Sequence, residues 1–159
     1  FFGSLRIGEV AKSGSSVHTL KFHNVEFTQN GNFLITLDSF KHSDEAAKIC
    51  LARQSGKLRD ICPVRLMKKF LSKRKSKTGF MFVREDGSVV SRCFVGSVLK
   101  RALKGMGLDP ASYDFHSLRI GRTSDLYAKG ISDEQLRRSG RWKSQAWKKY
   151  IKPSFIDAL

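Results

Sequence analysis

The sequence predicts an α+β fold that is mostly helical and includes a small three-stranded antiparallel sheet. Between residues 17 and 53, apolar and polar side chains alternate as they do in strands, and from Pro63 onward apolar side chains recur at helical spacing. The chain has 159 residues, of which 40% are hydrophobic, so it can bury a core of ordinary size. We find no internal repeat and no low-complexity tract, and we expect one domain over residues 1–159.

The charge of the chain limits its partners. A net charge of +16 is far above what solubility requires and indicates a polyanionic partner. Nucleic acid is the leading candidate, an anionic membrane surface is the alternative, and a generic basic protein is a third interpretation. The 12 phenylalanines and the overall hydrophobic content exclude a disordered basic tail. No apolar run approaches the about 18 residues of a membrane span, and no signal peptide is visible.

The cysteines and histidines form no recognisable metal or disulfide pattern. Cys50, Cys62 and Cys93 are widely spaced without a CxxC pair, and the four histidines lack zinc-ligand spacing. We therefore expect a reducing intracellular compartment and no metal or other cofactor.

The first twelve residues, FFGSLRIGEVAK, are predicted to be helical up to the Ser-Gly-Ser-Ser run at residues 13–16. Arg6 and Glu9 lie three positions apart, which places them on one helical face. An ion pair on a helix surface is the ordinary interpretation of that spacing.

The predicted sheet follows this segment. Its first strand is HTLKFHNVEFT, a turn lies at Asn30-Gly31-Asn32, and the second strand runs from Phe33 to about Leu37. The third strand covers residues 46–53, after a connection that contains Lys41. Lys41 is thus expected at or near the second turn of an antiparallel meander, where a single lysine is ordinarily just solvated.

A strongly basic helix is predicted from Pro63 to about Arg74. Proline suits the first turn of a helix, and Lys57 to Lys77 contain nine Lys or Arg against one acid. A solvated basic face and a surface that contacts phosphates are both compatible with this pattern. The candidate phosphate contacts on this helix are Arg65, Lys68 and Lys69.

Four further helices are predicted in the remainder of the chain. Their expected spans are Ser91 to Gly105, a helix that carries His116 and Arg119 as far as about Lys129, Ser132 to Arg138, and a last helix that Ser144 caps, that carries Trp147 and Tyr150 and that Pro153 ends. His116 and Arg119 are three apart and project from one face. We expect Tyr127 to lie in the core and Trp147 to pack beneath the last helix. Residues 140–142 form a tight loop.

Four short motifs lie along the chain, and each alone is a weak signal. They are FFGSLRIGEV with Arg6, SFKHSDEAAK with Lys41, HSLRIG with His116 and Arg119, and SGRWKSQAWKKYI with Trp142 and Tyr150. Together and in this order they resemble the catalytic domain of the tyrosine recombinases, the phage-integrase family. The resemblance covers essentially the whole chain, and the sequence is more similar to the recombinases of DIRS-type and crypton-type mobile elements than to other members of the family.

The resemblance implies chemistry on a DNA phosphodiester, with two arginines bound to the phosphate. Arg6 and Arg119 would each offer paired N–H donors to the non-bridging oxygens, and arginine stays charged throughout. Glu9 would hold Arg6 or His116 in place. Such preorganised donors are usually the largest catalytic term.

The resemblance also implies that Tyr150 is the nucleophile, which would form a 3′-phosphotyrosyl link and release a 5′-hydroxyl. His116 would accept or share the phenolic proton, and Lys41 would protonate the 5′ oxygen as it leaves. Trp142 would donate its indole N–H to the phosphate and pack against the helix of Tyr150. Because the bond energy is kept in the link, neither ATP nor a metal is needed.

The implied partner is double-stranded DNA, held mostly through its phosphates. Further expected DNA contacts are Arg122, Arg141 and Lys143. The resemblance implies a homotetramer on two DNA sites for the full-length protein, a monomer for residues 1–159, a nuclear location and no membrane. The N-terminal helices and the core-binding domain of the family are absent from these residues, so we expect weak DNA binding that falls steeply with salt.

Two other functions remain open at this point. A type IB topoisomerase-like nicking-closing enzyme would use the same site chemistry. A domesticated, non-cleaving DNA-binding module would use the fold and the charge alone. The presence of Arg6, Lys41, Arg119 and Tyr150 favours the two enzymes over the binding module.

Overall fold

The computed structural model describes residues 1–12, 14, 17–40 and 45–152. The chain forms two compact units. We call Phe1–Ile7 together with the chain from Arg92 onward the helical unit, and Gly8–Ser91 the sheet unit. The short helix α1 (Ile7–Val10) contains the point at which the two units divide. The expectation of a single domain stays a prediction.

The sheet unit contains the predicted antiparallel meander. Its strands are β1 (Val25–Phe27), β2 (Phe33–Leu37) and β3 (Ala47–Leu51), in the spatial order β1-β2-β3. Ile35, at the centre of β2, is the partner of Val25 on one side and of Ile49 on the other. Phe33, Ile35 and Leu37 are buried, because alternate side chains of a strand point to the same face. The α+β class and the three-stranded sheet are confirmed.

The hairpin turn between β1 and β2 lies where the Asn-Gly-Asn signal predicted it. The N–H of Thr28 donates a hydrogen bond to the carbonyl of Asn32 at 3.0 Å. Gly31 has a φ of 74°, in the left-handed region that glycine adopts at no steric cost.

The predicted first strand is wrong in its N-terminal half. Phe22–Asn24 form a 3-10 helix, and the extended strand begins only at Val25. The side chain of Asn24 accepts a hydrogen bond from the N–H of Lys21 at 2.8 Å and donates one to Asp38 at 3.0 Å. Such local side-chain bonds compete with the sheet ladder, and here they shorten the strand.

The basic helix of the sheet unit is α2 (Pro63–Lys73), as predicted, and Arg74 follows it directly. The guanidinium of Arg74 donates hydrogen bonds of 2.7 to 2.9 Å to three carbonyl oxygens of the next loop, those of Thr78, Phe80 and Met81. Burial lowers the pKa of Arg74. Arg74 therefore closes this loop, unlike the other basic residues of the segment.

The helical unit follows the predicted spans closely. It contains α3 (Arg92–Gly105), α4 (Phe115–Ala128), α5 (Asp133–Ser139) and a last 3-10 helix at Gln145–Tyr150. Asp114 caps α4 by accepting the N–H groups of His116 and Ser117, at 2.6 and 3.2 Å. Ser132 caps α5 in the same way, and Ser144 caps the 3-10 helix.

The N-terminal segment is less helical than predicted, since only Ile7–Val10 form a helix. The N–H of Ser4 donates to the carbonyl of Phe1 at 2.9 Å, and Ser4 has a φ of 47°. A serine in this left-handed region cannot continue a right-handed helix. Arg6 therefore lies just before α1 instead of within a longer helix.

The core of the helical unit is formed by Leu136, Trp142 and Trp147, with partly buried apolar side chains around them. The predicted packing role of Trp147 is confirmed. Tyr127 was expected in the core, but it is 45% exposed. Leu126 packs against the core cluster instead, and a step of one residue turns the next side chain about 100° around the helix. Within the residues that the structure describes, no helix has the length and apolar character to cross a membrane.

Candidate active site

Arg119 lies at the centre of the candidate site, on the inner face of α4. Only 4% of its surface is exposed, and its guanidinium donates hydrogen bonds to the carbonyl of Ser4, at 2.8 Å, and to the carbonyl of Gly140. A buried charge is tolerated when hydrogen-bond partners replace its water. These two carbonyls fix the guanidinium between the N-terminal segment and the loop that follows α5.

Trp142 lies against this guanidinium. The Cζ of Arg119 is 4.5 Å from the centroid of the Trp142 ring, which is a cation–π arrangement. The ring occupies the space beside Gly140 so closely that an added Cβ there would lie 1.6 Å from a ring carbon. Glycine is therefore required at position 140, because any side chain would displace the tryptophan.

Tyr150 completes a cluster of four side chains within the helical unit. Its ring centroid is 4.7 Å from that of His116 and 4.9 Å from that of Trp142. The Cζ of Arg119 is 5.7 Å from the Tyr150 ring. The sequence motifs single out all four of these residues, and His116, Arg119 and Trp142, which lie up to 34 positions before Tyr150, surround its ring. His116 is exposed and Tyr150 is half-buried, so the cluster reaches the surface.

The backbone around Tyr150 is attached to α4 by Ser124. The hydroxyl of Ser124 donates a hydrogen bond to the carbonyl of Tyr150 at 3.1 Å and accepts one from the N–H of Lys152 at 3.2 Å. Ser124 is fully buried. Sequence reasoning did not single out this residue, since a serine within a helix carries no distinguishing pattern.

The segment before Arg6 is held by Arg141, whose guanidinium donates to the carbonyls of Gly3 and Ser4, both at 3.3 Å. Arg141 has a φ of 56°, and Ser4 has a φ of 47°, so both residues of this contact lie in the left-handed region. Arg6 itself is half-buried. The carbonyl of Ser4 therefore receives two guanidiniums, those of Arg119 and Arg141, two residues before Arg6.

Arg122, another predicted DNA contact, is also bound within the helical unit. It pairs with Asp125 at 2.8 Å, and Lys129 pairs with the same carboxylate at 2.6 Å. The Cζ of Arg122 lies 5.6 and 5.7 Å from the rings of Phe1 and Phe2. Lys143, in contrast, is exposed.

The predicted contacts of the sheet unit lie on the exposed side of α2. Arg65 pairs with the exposed Asp60 at 3.2 Å, and the ammonium of Lys68 is 5.3 Å from the Phe27 ring centroid. Lys69 is exposed as well. Exposed pairs of this kind stabilise a protein only slightly, so these charges remain suited to an anionic partner.

Glu9 and Lys41 are the two remaining predicted site residues. Glu9 belongs to the sheet unit, is buried, and accepts the N–H of Leu20 at its backbone carbonyl at 2.9 Å. Lys41 lies outside the described residues. Among the side chains that the structure does describe, no group of three or more His, Cys, Asp or Glu could hold a metal ion.

No protein-family model and no curated protein matches the chain. Its fold is similar to that of XerH, a site-specific recombinase, in a pre-cleavage complex with its difH substrate: the TM-score is 0.68 at 19% identity, over 99% of this chain and 41% of XerH. XerH in a post-cleavage complex with a palindromic difH substrate gives a TM-score of 0.67 at 18% identity, over 99% and 41% of the two chains.

The XerA recombinase gives a TM-score of 0.68 at 14% identity, over 99% of this chain and 52% of XerA. The chain thus spans about half the length of these recombinases, or somewhat less. The closer likeness to DIRS-type and crypton-type recombinases stays a prediction. The chain therefore has the fold that these recombinases show over the matched part of their length.

Proposed function

We propose that this chain is the catalytic domain of a site-specific DNA recombinase that cleaves and rejoins strands through a 3′-phosphotyrosyl intermediate. The observation that carries the proposal is the position of Tyr150, whose ring contacts His116 and Trp142 and lies beside the Arg119 guanidinium. A phenol can attack a phosphate, an imidazole can accept its proton, and an indole N–H and a guanidinium can donate hydrogen bonds to the phosphate oxygens. The similarity in fold to recombinases in pre-cleavage and post-cleavage complexes supports the same chemistry.

In the proposed reaction the Tyr150 oxygen forms a bond to phosphorus while the bond from phosphorus to the 5′ oxygen breaks. The phenolic proton passes to His116, and Lys41 gives a proton to the 5′ oxygen. Arg119 and Arg6 stabilise the charge on the non-bridging oxygens, a term worth about 3 kcal/mol or more per donor group in comparable sites. Glu9 supports this arrangement. Rejoining is the reverse reaction, with the 5′-hydroxyl of the incoming strand as the nucleophile.

The DNA is held through its phosphates by exposed basic residues. The side chains that we assign to this role are Arg65, Lys68, Lys69 and Lys143. Arg122 and Arg141 also hold the protein itself, since their guanidiniums bind Asp125 and the carbonyls of Gly3 and Ser4, so we assign them a smaller share of the DNA contact. A homotetramer on two DNA sites, action in the nucleus and independence of metal and ATP belong to the same proposal.

The test is covalent capture on DNA. The chain is incubated, with EDTA and without ATP, with a library of nicked duplexes of randomised sequence, and products are separated under denaturing conditions. We expect a protein–DNA adduct with the wild type and none with Tyr150→Phe. Tyr127→Phe is the matched control, since Tyr127 lies on the exposed surface of the same unit, and it should form the adduct normally.

Three outcomes would contradict parts of the proposal. An adduct that persists in Tyr150→Phe would exclude Tyr150 as the nucleophile, and no adduct with the wild type, together with DNA binding, would favour a non-cleaving module. Sites recovered from the library are then placed twice in a supercoiled plasmid. Relaxation without exchange between the two sites would favour a nicking-closing enzyme of the topoisomerase type.

A further inference from the structure

We propose that Ser124 is a positioning residue that sets the place of Tyr150 relative to His116 and Arg119. This inference rests on the proposed role of Tyr150 as the nucleophile. It concerns a side chain whose hydrogen bonds go to the backbone of Tyr150 and Lys152, and which therefore acts through the backbone.

The geometry that carries the inference is a bridge made by one hydroxyl. The Ser124 hydroxyl donates to the carbonyl of Tyr150 at 3.1 Å and accepts from the N–H of Lys152 at 3.2 Å. A serine hydroxyl has one donor and two acceptor positions, so both bonds can form together. The two backbone groups lie on either side of Ile151, and the bridge therefore holds both ends of the peptide segment that begins at Tyr150.

The bridge is placed where the chain needs an external partner. Tyr150 ends the last 3-10 helix, and the final carbonyl groups of a helix have no partner within that helix. Ser124 supplies the partner for the Tyr150 carbonyl from α4. Because Ser124 is fully buried, water cannot replace its hydroxyl without a rearrangement of the core.

The helix that supplies this bond is also the helix of the site. His116, Arg119 and Ser124 all belong to α4 (Phe115–Ala128), within three turns of one another. Attachment of the Tyr150 backbone to α4 thus fixes the tyrosine to the same rigid element that carries the imidazole and the guanidinium. A small displacement of a reacting group can cost about a hundredfold in rate, so such an attachment matters for attack.

The neighbouring residue provides a matched control. Thr123 is also buried on α4, but its hydroxyl donates to the carbonyl of Arg119 at 2.9 Å, within its own helix. Thr123→Ala removes a methyl group as well as the hydroxyl, so it leaves a larger space in the core than Ser124→Ala does. Only removal of the Ser124 hydroxyl releases the backbone of Tyr150.

The first experiment measures position without chemistry. 3-Fluorotyrosine is incorporated at position 150, and its ¹⁹F resonance is recorded in the wild-type background, Ser124→Ala, Ser124→Cys and Thr123→Ala. We expect the wild-type signal to be displaced by the rings of His116 and Trp142. It should move toward the position of free 3-fluorotyrosine in both Ser124 variants and stay in place in Thr123→Ala. Ser124→Cys is close to serine in volume, so the ¹⁹F shift can still be measured in this variant if Ser124→Ala does not fold.

The second experiment measures the rate of adduct formation with saturating nicked DNA in a single turnover. Ser124→Ala should slow adduct formation about tenfold to a hundredfold, with the DNA dissociation constant unchanged. Thr123→Ala should keep both values near those of the wild type.

An unchanged ¹⁹F resonance in both Ser124 variants overturns the inference, as does adduct formation by Ser124→Ala at the wild-type rate. An equal loss in Thr123→Ala also overturns it, because the effect is then a general loss of core packing. A wild-type chain that forms no adduct contradicts the proposed function, whereas the ¹⁹F comparison still decides the position of Tyr150. The two failures are therefore distinguishable.

Discussion

The buried faces of strand β2 and helix α4 differ in kind. In the sheet unit, β2 buries Phe33, Ile35 and Leu37, whereas α4 in the helical unit buries Arg119, Thr123 and Ser124. Each of the three polar side chains on α4 has a hydrogen-bond acceptor, so their burial is tolerated. The apolar side chains of β2 stabilise the sheet unit, whereas Arg119 and Ser124 on α4 bind backbone carbonyls of other segments and so fix those segments in space. The difference indicates that α4 is the helix around which the site is built.

The largest effects should separate stability from chemistry. Arg119→Lys should lower the rate of adduct formation at least about a hundredfold, because an ammonium cannot reproduce the paired donors of a guanidinium. Ile35→Ala should instead lower the free energy of unfolding by about 2–5 kcal/mol through a cavity in the sheet unit. Single-turnover rates and urea denaturation measure the two effects. Arg138→Lys, which changes an exposed arginine paired with Glu134, is the control for the first variant.

The distinction between a stabilising β2 and a site-forming α4 would be wrong if Ile35→Ala, measured at a temperature at which it is folded, lost as much cleavage activity as Arg119→Lys. It would also fail if Arg119→Lys lost stability alone and kept the wild-type rate.

Gly140→Ala should have the next largest effect. The added Cβ would overlap the Trp142 ring, which must move, and overpacking of a core typically costs about 1–3 kcal/mol. Thermal unfolding and the adduct rate should both fall, since Trp142 contacts Arg119 and Tyr150. Gly105→Ala is a suitable control, because no atom lies within 4 Å of a Cβ built there. Equal behaviour of the two alanine variants would exclude a steric role for Gly140.

A smaller effect should distinguish partly buried from exposed basic residues. Arg122→Gln should lower the free energy of unfolding by about 1–2 kcal/mol, because it removes one of the two cations bound to the Asp125 carboxylate. The other cation, Lys129, stays in place. Lys143→Gln should leave stability unchanged and reduce the slope of log affinity against log salt by about 0.9, as expected for one phosphate contact. Denaturation and DNA titrations at several salt concentrations give both values. A larger loss of salt dependence in Arg122→Gln than in Lys143→Gln would reverse this assignment.

The smallest effects concern one turn aspartate in each unit. Hydrogen bonds from the hydroxyl and then the N–H of Ser88 lower the pKa of Asp86, and bonds from the N–H of Ala111 and the hydroxyl of Ser112 lower the pKa of Asp109. A lowered folded pKa stabilises the protein above the unfolded pKa, about 3.9, and this contribution is lost as the pH falls through the folded value.

Asp86→Asn and Asp109→Asn should therefore each lower the Tm slightly at pH 7, and the gap to the wild type should shrink toward pH 3. A gap that stays constant or widens on acidification would contradict these two pKa shifts.

Much of the fold could be predicted from local patterns. The period of two gave β2 with its bounds, and Pro63, Ser132 and Ser144 marked helix starts that the structure contains. The errors arose where side chains bond the backbone. Asn24 delays the start of β1 to Val25 through two hydrogen bonds, and nothing in a hydrophobic pattern indicates them.

The site was predictable as a set of residue types and not as a geometry. The motifs singled out His116, Arg119, Trp142 and Tyr150 by residue type and order along the chain, and the structure brings these four side chains together. Ser124 was not predictable, since its partners lie 26 and 28 residues away and a helical serine is unremarkable. Hydrophobic periodicity also does not reveal the buried face of α4, because its buried residues are polar.

The proposed role of Tyr150 as the nucleophile can be tested directly by identifying the bond that joins the protein to the DNA in the adduct. The protein–DNA adduct is digested with trypsin and nuclease, and the modified peptide and the DNA end are determined by mass spectrometry and end labelling. We expect the peptide that contains Tyr150 to be joined to a 3′-phosphate, with a free 5′-hydroxyl on the other strand end. A link through Tyr113 or Tyr127, or a link to a 5′-phosphate, would contradict it.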